Sequence, residues 1–246
     1  MAVTTAPPPL AKSWKPRRTA KPTWQVENAL WREGFSRVAG VDEVGRGSLA
    51  GPVVAGAVVL PYSRARWVRR LRDSKLLDAP TREELAAEVH AHCDWAIGIV
   101  SPHVIDQLGM TWATRLAMRR AVLGLANTPM ALIVDGREVV ECEVRQRAVI
   151  DGDALCPSVA AASIVAKVAR DAMMDGLDEV FPGYGFAQNK GYATPEHRAA
   201  LRALGPASVH RMLFAPVRAA LRAQRAGSVR LVTGPLPHAE QAVTSP

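Results

Sequence analysis

Residues Val38 to Leu60 read VAGVDEVGRGSLAGPVVAGAVVL. Apolar residues fill both ends of this stretch, and a Gly-Arg-Gly at 45–47 divides them. Arg37–Val44 and Gly51–Leu60 therefore read as two strands, the second rich in Val and Ala and closed by Pro61. The first strand ends on Asp42 and Glu43. Ionised carboxylates are rarely buried without a partner or a metal, so this pair marks either a strand end meeting solvent or a site. Adjacent strand residues face opposite sides of a sheet. Asp42 and Glu43 share a site only if the strand bends or stops there, and the glycines that follow allow that.

Gly45, Gly47 and Gly51 miss the G-x-G-x-x-G spacing, and a strand rather than a helix follows them. The dinucleotide reading fails, and no Walker A sequence is present. What such glycines permit is close approach of backbone N–H and C=O groups to a ligand beside the acids. A ribose 2′-hydroxyl, the group that separates RNA from DNA, is one such ligand.

Outward from this stretch the pattern is α/β. Thr81–His92 reads as a helix with Thr81 as its cap and Glu84 three residues on. Trp95–Val100 reads as a strand, and Ser101 caps a short helix that opens on Pro102. Thr111–Ala126, Ser158–Phe181, Pro195–Leu204 and Pro216–Gln224 read as helices, with Pro182-Gly183 stopping the longest. The apolar stripe of that longest helix runs through Val165, Val168, Ala169, Ala172, Met173, Leu177 and Val180, which leaves Lys167 and Arg170 on a solvated face. Ala131–Val134 and Arg147–Ile150 complete the strands, and the whole predicts a mixed sheet flanked by helices.

Two further acids stand at strand ends. Asp135 closes Ala131–Val134, and Asp153 follows Arg147–Ile150. If these ends are neighbours, four carboxylates converge at one edge of the sheet. Such an all-oxygen set suits hard divalent cations, Mg²⁺ or Mn²⁺. Two such ions ~3.5–4 Å apart activate water and stabilise the leaving oxygen of a phosphodiester.

Composition bounds the rest. At 48% hydrophobic and 22% charged, the 246-residue chain is neither collagen-like, nor a disulfide scaffold, nor wholly disordered. No apolar run approaches the ~18–20 residues of a membrane span, and no secretory pattern opens the sequence. Cys93, Cys142 and Cys156 are odd in number and lack metal spacing, which points to a reduced, cytoplasmic home. His90 and His92 build no metal site, His197 supports the terminal helix, and Trp67, Trp95 and Trp112 read as packing residues. The net charge of +8 suggests an anionic partner. Much of it lies in residues 1–35, with six Lys/Arg against two Glu. That segment reads as a basic, Pro-rich, disordered tail, residues 36–224 as one domain, and 225–246 as a second flexible tail.

The stretch quoted first closely resembles the signature of ribonuclease HII, the type 2 ribonucleases H. The resemblance runs from about Val38 to Arg222. It includes Asp73-Ser74-Lys75, Ile133-Val134-Asp135-Gly136, Gly152-Asp153, Ala161-Ala162-Ser163-Ile164-Val165-Ala166-Lys167-Val168, Tyr184-Gly185-Phe186, Asn189-Lys190-Gly191-Tyr192 and Thr194-Pro195-Glu196-His197. It implies an RNase H-like fold with a helical C-terminal part, and makes residues 36–224 the catalytic domain. It implies a metal-dependent endoribonuclease acting on RNA/DNA hybrids and on ribonucleotides embedded in duplex DNA. Such an enzyme cuts 5′ to the ribonucleotide, leaves 3′-hydroxyl and 5′-phosphate ends, and serves replication and ribonucleotide repair.

By the same resemblance Asp42, Glu43, Asp135 and Asp153 form the catalytic metal site. Gly45, Arg46 and Gly47 read the 2′-hydroxyl, and Tyr192 packs on the deoxyribose that follows. Lys75 and Lys190 are candidate phosphate contacts. A monomer is expected, with a replication or repair protein as a further partner. The family often has Lys and Ser flanking the fourth acid's Gly-Asp; Asp151 and Ala154 stand there instead. Two other readings compete: a non-cutting nucleic-acid binder, against which the four intact acids argue, and another RNase H-fold enzyme acting on DNA alone.

Overall fold

The computed structural model describes residues 21–232, with side chains described as far as Ala226. Chain order is α1 (Gln25–Arg32), β1 (Val38–Val44), β2 (Val53–Val59), α2 (Ala79–His92), β3 (Asp94–Val100), α3 (Pro102–Leu108), α4 (Met110–Leu123), β4 (Ala131–Asp135), β5 (Arg145–Val149), α5 (Gly152–Leu155), α6 (Pro157–Val180), α7 (Phe186–Asn189), α8 (Pro195–Leu204) and α9 (Ala215–Val232). The strands form one mixed sheet in the order β3-β2-β1-β4-β5. β1 runs antiparallel to β2, which runs antiparallel to β3. β1 and β4, and β4 and β5, are parallel. The expected α/β architecture is the observed one.

Register places the acids. Val41 pairs with Val134, the last β1–β4 partners, so one residue further each strand reaches Asp42 and Asp135. On its other side β1 stays paired with β2 through Val44–Val54. The strand therefore neither bends nor stops at Asp42. Asp42 and Glu43 keep to opposite faces, and they share a site because β4 ends beside them.

Small residues bring the helices close. A Cβ on Gly40 would run into the backbone of Ser158, and one on Gly56 into the carbonyl of Ala162, so α6 lies against the middle of the sheet. On the other face α4 approaches Gly98 in the same way. Ala39, Val41, Val53 and Ala55 pack with Ala113, Ala117 and Met118 of α4. On the α6 side, Val58 and Leu60 pack with Ile164 and Val165, and with Leu85 and Val89 of α2. Burial of this apolar area is the main favourable term in folding.

Four local expectations are corrected. The N-terminal tail reading covered 1–35, but Gln25–Arg32 is helical, with Val26 and Leu30 fully buried against Ile133, Val149 and Val159. Val26, Ala29, Leu30 and Trp31 give these eight residues an apolar face, enough to dock a short helix yet too short to stand out beside a basic, Pro-rich stretch. Residues 1–20 lie outside the described residues. α9 runs on to Val232, past the expected Gln224 and into the segment taken as a tail; residues 233–246 lie outside the described residues. The cap of α2 is Asp78, whose carboxylate accepts from the Thr81 N–H, so Thr81 is inside the helix. Trp112 is half exposed rather than a packing residue, with Arg115 over its ring.

Candidate active site

Asp42 is almost wholly buried on the α6 side of β1, where the Ser163 hydroxyl hydrogen-bonds to it. Its Oδ1 also accepts from the Glu43 N–H at 2.7 Å. Burial, then the charge of Asp135, then that of Glu43, push its carboxyl well above the usual range. Glu43, on the α4 side, is also raised, by burial against the opposing pull of Arg46. Asp135 accepts from the Gly152 N–H at 2.6 Å, and burial raises it as well. Asp153, on α5, is pushed up to about 6 by burial and by the charges of Asp135 and Asp73. The four predicted carboxylates thus act on one another across β1, β4 and α5.

A bound cation would relieve this mutual repulsion in a poorly solvated pocket. Among the described residues no three His, Cys, Asp or Glu side chains are already drawn into a metal-holding arrangement. The carboxylates are engaged by local donors instead: the amides of Glu43 and Gly152, the hydroxyl of Ser163 and the guanidinium of Arg46. The donor set, four carboxylates and no nitrogen or sulfur, fits a hard divalent ion once those side chains turn toward it.

The Gly-Arg-Gly turn follows the Asp42-Glu43 end of β1, and Arg46 reaches back to Glu43. Gly45 has φ +88°, and a Cβ there would strike Arg170, so its glycine is required by the protein itself. Gly47 differs: its φ is not positive, and nothing lies within 4 Å of where a Cβ would stand. Arg46 Nη1 is 3.5 Å from Glu43 Oε1 and 3.2 Å from Glu138 Oε1. Glu138 also pairs with Arg115 of α4 at 3.1 Å.

The remaining predicted residues are dispersed around this centre. Lys75 is highly exposed, its Nζ 3.9 Å from Asp153 Oδ2 and 4.0 Å from Asp73 Oδ1. Its neighbour Ser74 is buried with its Oγ 2.9 Å from Ser163 Oγ, which ties the Lys75 turn to Asp42. Tyr192 is 37% exposed. The Lys190 ammonium is paired with Asp175 of α6. Asp151 is exposed in a left-handed conformation, and its charge contributes to raising Asp135.

Sequence reasoning missed several residues here. Glu138 carried no signal, since it lies in an irregular segment after Asp135. Ser163 is a single hydroxyl in the apolar run 161–166, and nothing in that run marks it as the partner of Asp42. Arg170, assigned to a solvated face, is fully buried, as is Arg211. The partners of both are backbone carbonyls, which no side-chain pattern reveals. His197 is buried, its Nε2 3.1 Å from that of His210.

A mixed sheet whose central parallel strands end in carboxylates, with helices on both faces, defines a hydrolase of the ribonuclease H class. Residues 39–217 match the family model described as Ribonuclease HII. Ribonuclease HII of Myxococcus xanthus is 48% identical over 224 residues, covering 90% of this chain and 73% of that protein. The crystal structure of ribonuclease H2 from Pyrococcus horikoshii is similar with a TM-score of 0.66 at 27% identity, over 77% of this chain and 99% of that one. The PCNA:RNase HII complex from Archaeoglobus fulgidus gives 0.61 at 32% identity, over 72% and 94%. The chain belongs to the ribonuclease HII family, and is an endoribonuclease of the ribonuclease H type. Enzymes of this class depend on divalent metal. No helix among the described residues is long and apolar enough to cross a membrane.

Proposed function

We propose that this chain hydrolyses the phosphodiester 5′ to a ribonucleotide, in RNA/DNA hybrids and in duplex DNA carrying single ribonucleotides, leaving 3′-hydroxyl and 5′-phosphate ends. The observation that carries the reading is the open space at Gly47 beside four mutually repelling carboxylates. Among the described residues nothing but its chain neighbours comes within 4 Å of where a side chain at Gly47 would stand, and this exposed backbone suits close approach of a ribose 2′-hydroxyl.

Asp42, Glu43, Asp135 and Asp153 would hold Mg²⁺ or Mn²⁺. Bound ions of this kind lower the pKa of water and offset the charge of a phosphate undergoing in-line attack. The protein's part is positioning. Ser163 and Gly152 orient Asp42 and Asp135. Gly45 sets the turn that presents Arg46 and Gly47. Lys75, exposed beside Asp153, offers its ammonium to a backbone phosphate. Tyr192 offers an exposed ring to the deoxyribose that follows the ribonucleotide. Lys190 serves a phosphate only on leaving Asp175.

A reading as a non-cutting binder is not favoured, because carboxylates facing phosphates weaken binding and serve only catalysis. Ribonucleotide removal during replication and repair, in the cytoplasm, is the role this activity implies. A replication protein as partner is supported by the PCNA complex of the Archaeoglobus fulgidus relative. The test is incision of a labelled RNA/DNA hybrid in Mg²⁺, in Mn²⁺ and in EDTA. Cleavage with a divalent ion and silence in EDTA is the expected result; cleavage in EDTA, or none with either ion, overturns the reading.

A further inference from the structure

Two fully buried guanidiniums lie behind the site, and the chemistry above uses neither. Arg211 Nε donates to Gly51 O at 2.8 Å, Nη1 to Gly45 O at 2.6 Å and Arg46 O at 3.1 Å, and Nη2 to Pro52 O at 3.0 Å. Arg170 Nε donates to Pro52 O at 3.0 Å, Nη1 to Lys190 O at 2.9 Å and Nη2 to Ala50 O at 3.2 Å. Its guanidinium also stands 5.6 Å from the centre of the Tyr192 ring. Among the described residues neither arginine forms an ion pair with a carboxylate. Two like charges so placed are costly. What they gain is specificity: a planar fork with five donors can hold several fixed carbonyls at once, which a lysine cannot.

The same C-terminal segment also reaches Tyr192. His210 Nδ1 lies 3.0 Å from Ala207 N and 3.3 Å from Ala207 O. Its Nε2 is 3.1 Å from His197 Nε2, and His197 Nδ1 is 2.8 Å from Tyr192 O. Backbone bonds from Gly51 N to Val209 O, Arg211 N to Leu49 O and Leu49 N to Gly191 O close the frame. Asp106 of α3 anchors the segment by accepting from Met212 N and Leu213 N at 2.9 and 2.8 Å.

We propose that Arg211, with His210 beside it, is a positioning residue that fixes the Gly45–Gly47 turn and the Tyr192 loop relative to one another, so that recognition of a ribonucleotide–deoxyribonucleotide junction is set from the C-terminal segment. The proposal rests on the reading of those two elements as the substrate's sugar contacts.

The experiment compares kcat/KM on duplex DNA containing one ribonucleotide with kcat/KM on a uniform RNA/DNA hybrid, where no deoxyribose follows the cut. For Arg211→Lys the ratio of the two falls about tenfold, mostly through kcat on the junction substrate. A folded Arg211→Lys variant that loses activity on both substrates equally, or on neither, overturns the proposal. If Arg211→Lys does not fold, Asp106→Ala decides: it frees Met212 N and Leu213 N from their anchor while leaving the Arg211 side chain in place. A fall of about threefold in the ratio supports the proposal, and an unchanged ratio overturns it. Tyr192→Ala separates the underlying reading. If Tyr192→Ala leaves the ratio unchanged, the reading of Tyr192 as the deoxyribose contact fails and the proposal with it; if Tyr192→Ala lowers the ratio and Arg211→Lys does not, the proposal alone is overturned.

Discussion

Asp42 and Asp135 stand level at the ends of two paired parallel strands, one residue beyond the Val41–Val134 pair, and Asp135 is the neighbouring charge that most raises the Asp42 carboxyl. A group whose folded pKa lies above its unfolded value costs stability once it ionises. Asp42→Asn removes that cost together with one of the four proposed metal ligands. Its melting temperature in EDTA should exceed wild type by about 2–5 °C, while cleavage drops by about 1,000-fold or more. Adding Mg²⁺ should raise the melting temperature of the wild type and not of the variant. Thermal scans with and without the ion check all of this.

Gly45 and Gly47 flank Arg46, yet substitution should fail differently at each. Alanine at Gly45 meets a left-handed φ and the Arg170 side chain. Gly45→Ala should lose about 2–4 kcal/mol of stability. Alanine at Gly47 meets nothing of the protein. Gly47→Ala should stay within about 0.5 kcal/mol of wild type and still lose about 100-fold in cleavage. Urea titrations beside single-turnover rates separate the two effects.

Glu27 gives a pH signature to the docking of α1. It is buried beneath the helix, accepts from Ser158 N and Oγ, and is raised by burial to about 7. Its favourable contribution is therefore full below the unfolded pKa near 4.5 and is lost as pH rises through 7. Between pH 4.5 and 8 the wild type should lose about 3 kcal/mol through this group. Glu27→Gln should lack that component, so the difference in unfolding free energy between variant and wild type should move in the variant's favour as pH rises.

The carboxylate-bearing end of the sheet was legible because its signal is local. Apolar runs broken by Asp42-Glu43 and by Asp135 announce strands that end in charge, and Gly-Arg-Gly announces a turn. The parts that stayed hidden depend on distant backbone. Arg170 sits off the apolar stripe of α6, and only the folded chain brings it the carbonyls of Ala50, Pro52 and Lys190. Arg211 and His210 lie in an irregular segment with no period to read. A bend or an end of the strand at Asp42 is one way for Asp42 and Glu43 to share a site; register supplies another, since the β1–β4 pairing stops at Val41–Val134. Gln25–Arg32 shows the converse: composition masked a helix that tertiary packing holds.

The central claim is that the sheet-end acids and the Gly45–Gly47 turn together cut beside a 2′-hydroxyl. The most direct measurement maps, at nucleotide resolution, the product ends from a DNA duplex carrying one ribonucleotide, beside the same duplex with deoxyribose there, both in Mn²⁺. A single nick on the 5′ side of the ribonucleotide, with a 3′-hydroxyl and no cut in the all-DNA control, is the predicted result. Equal cutting of both duplexes, or a nick on the 3′ side, would contradict it.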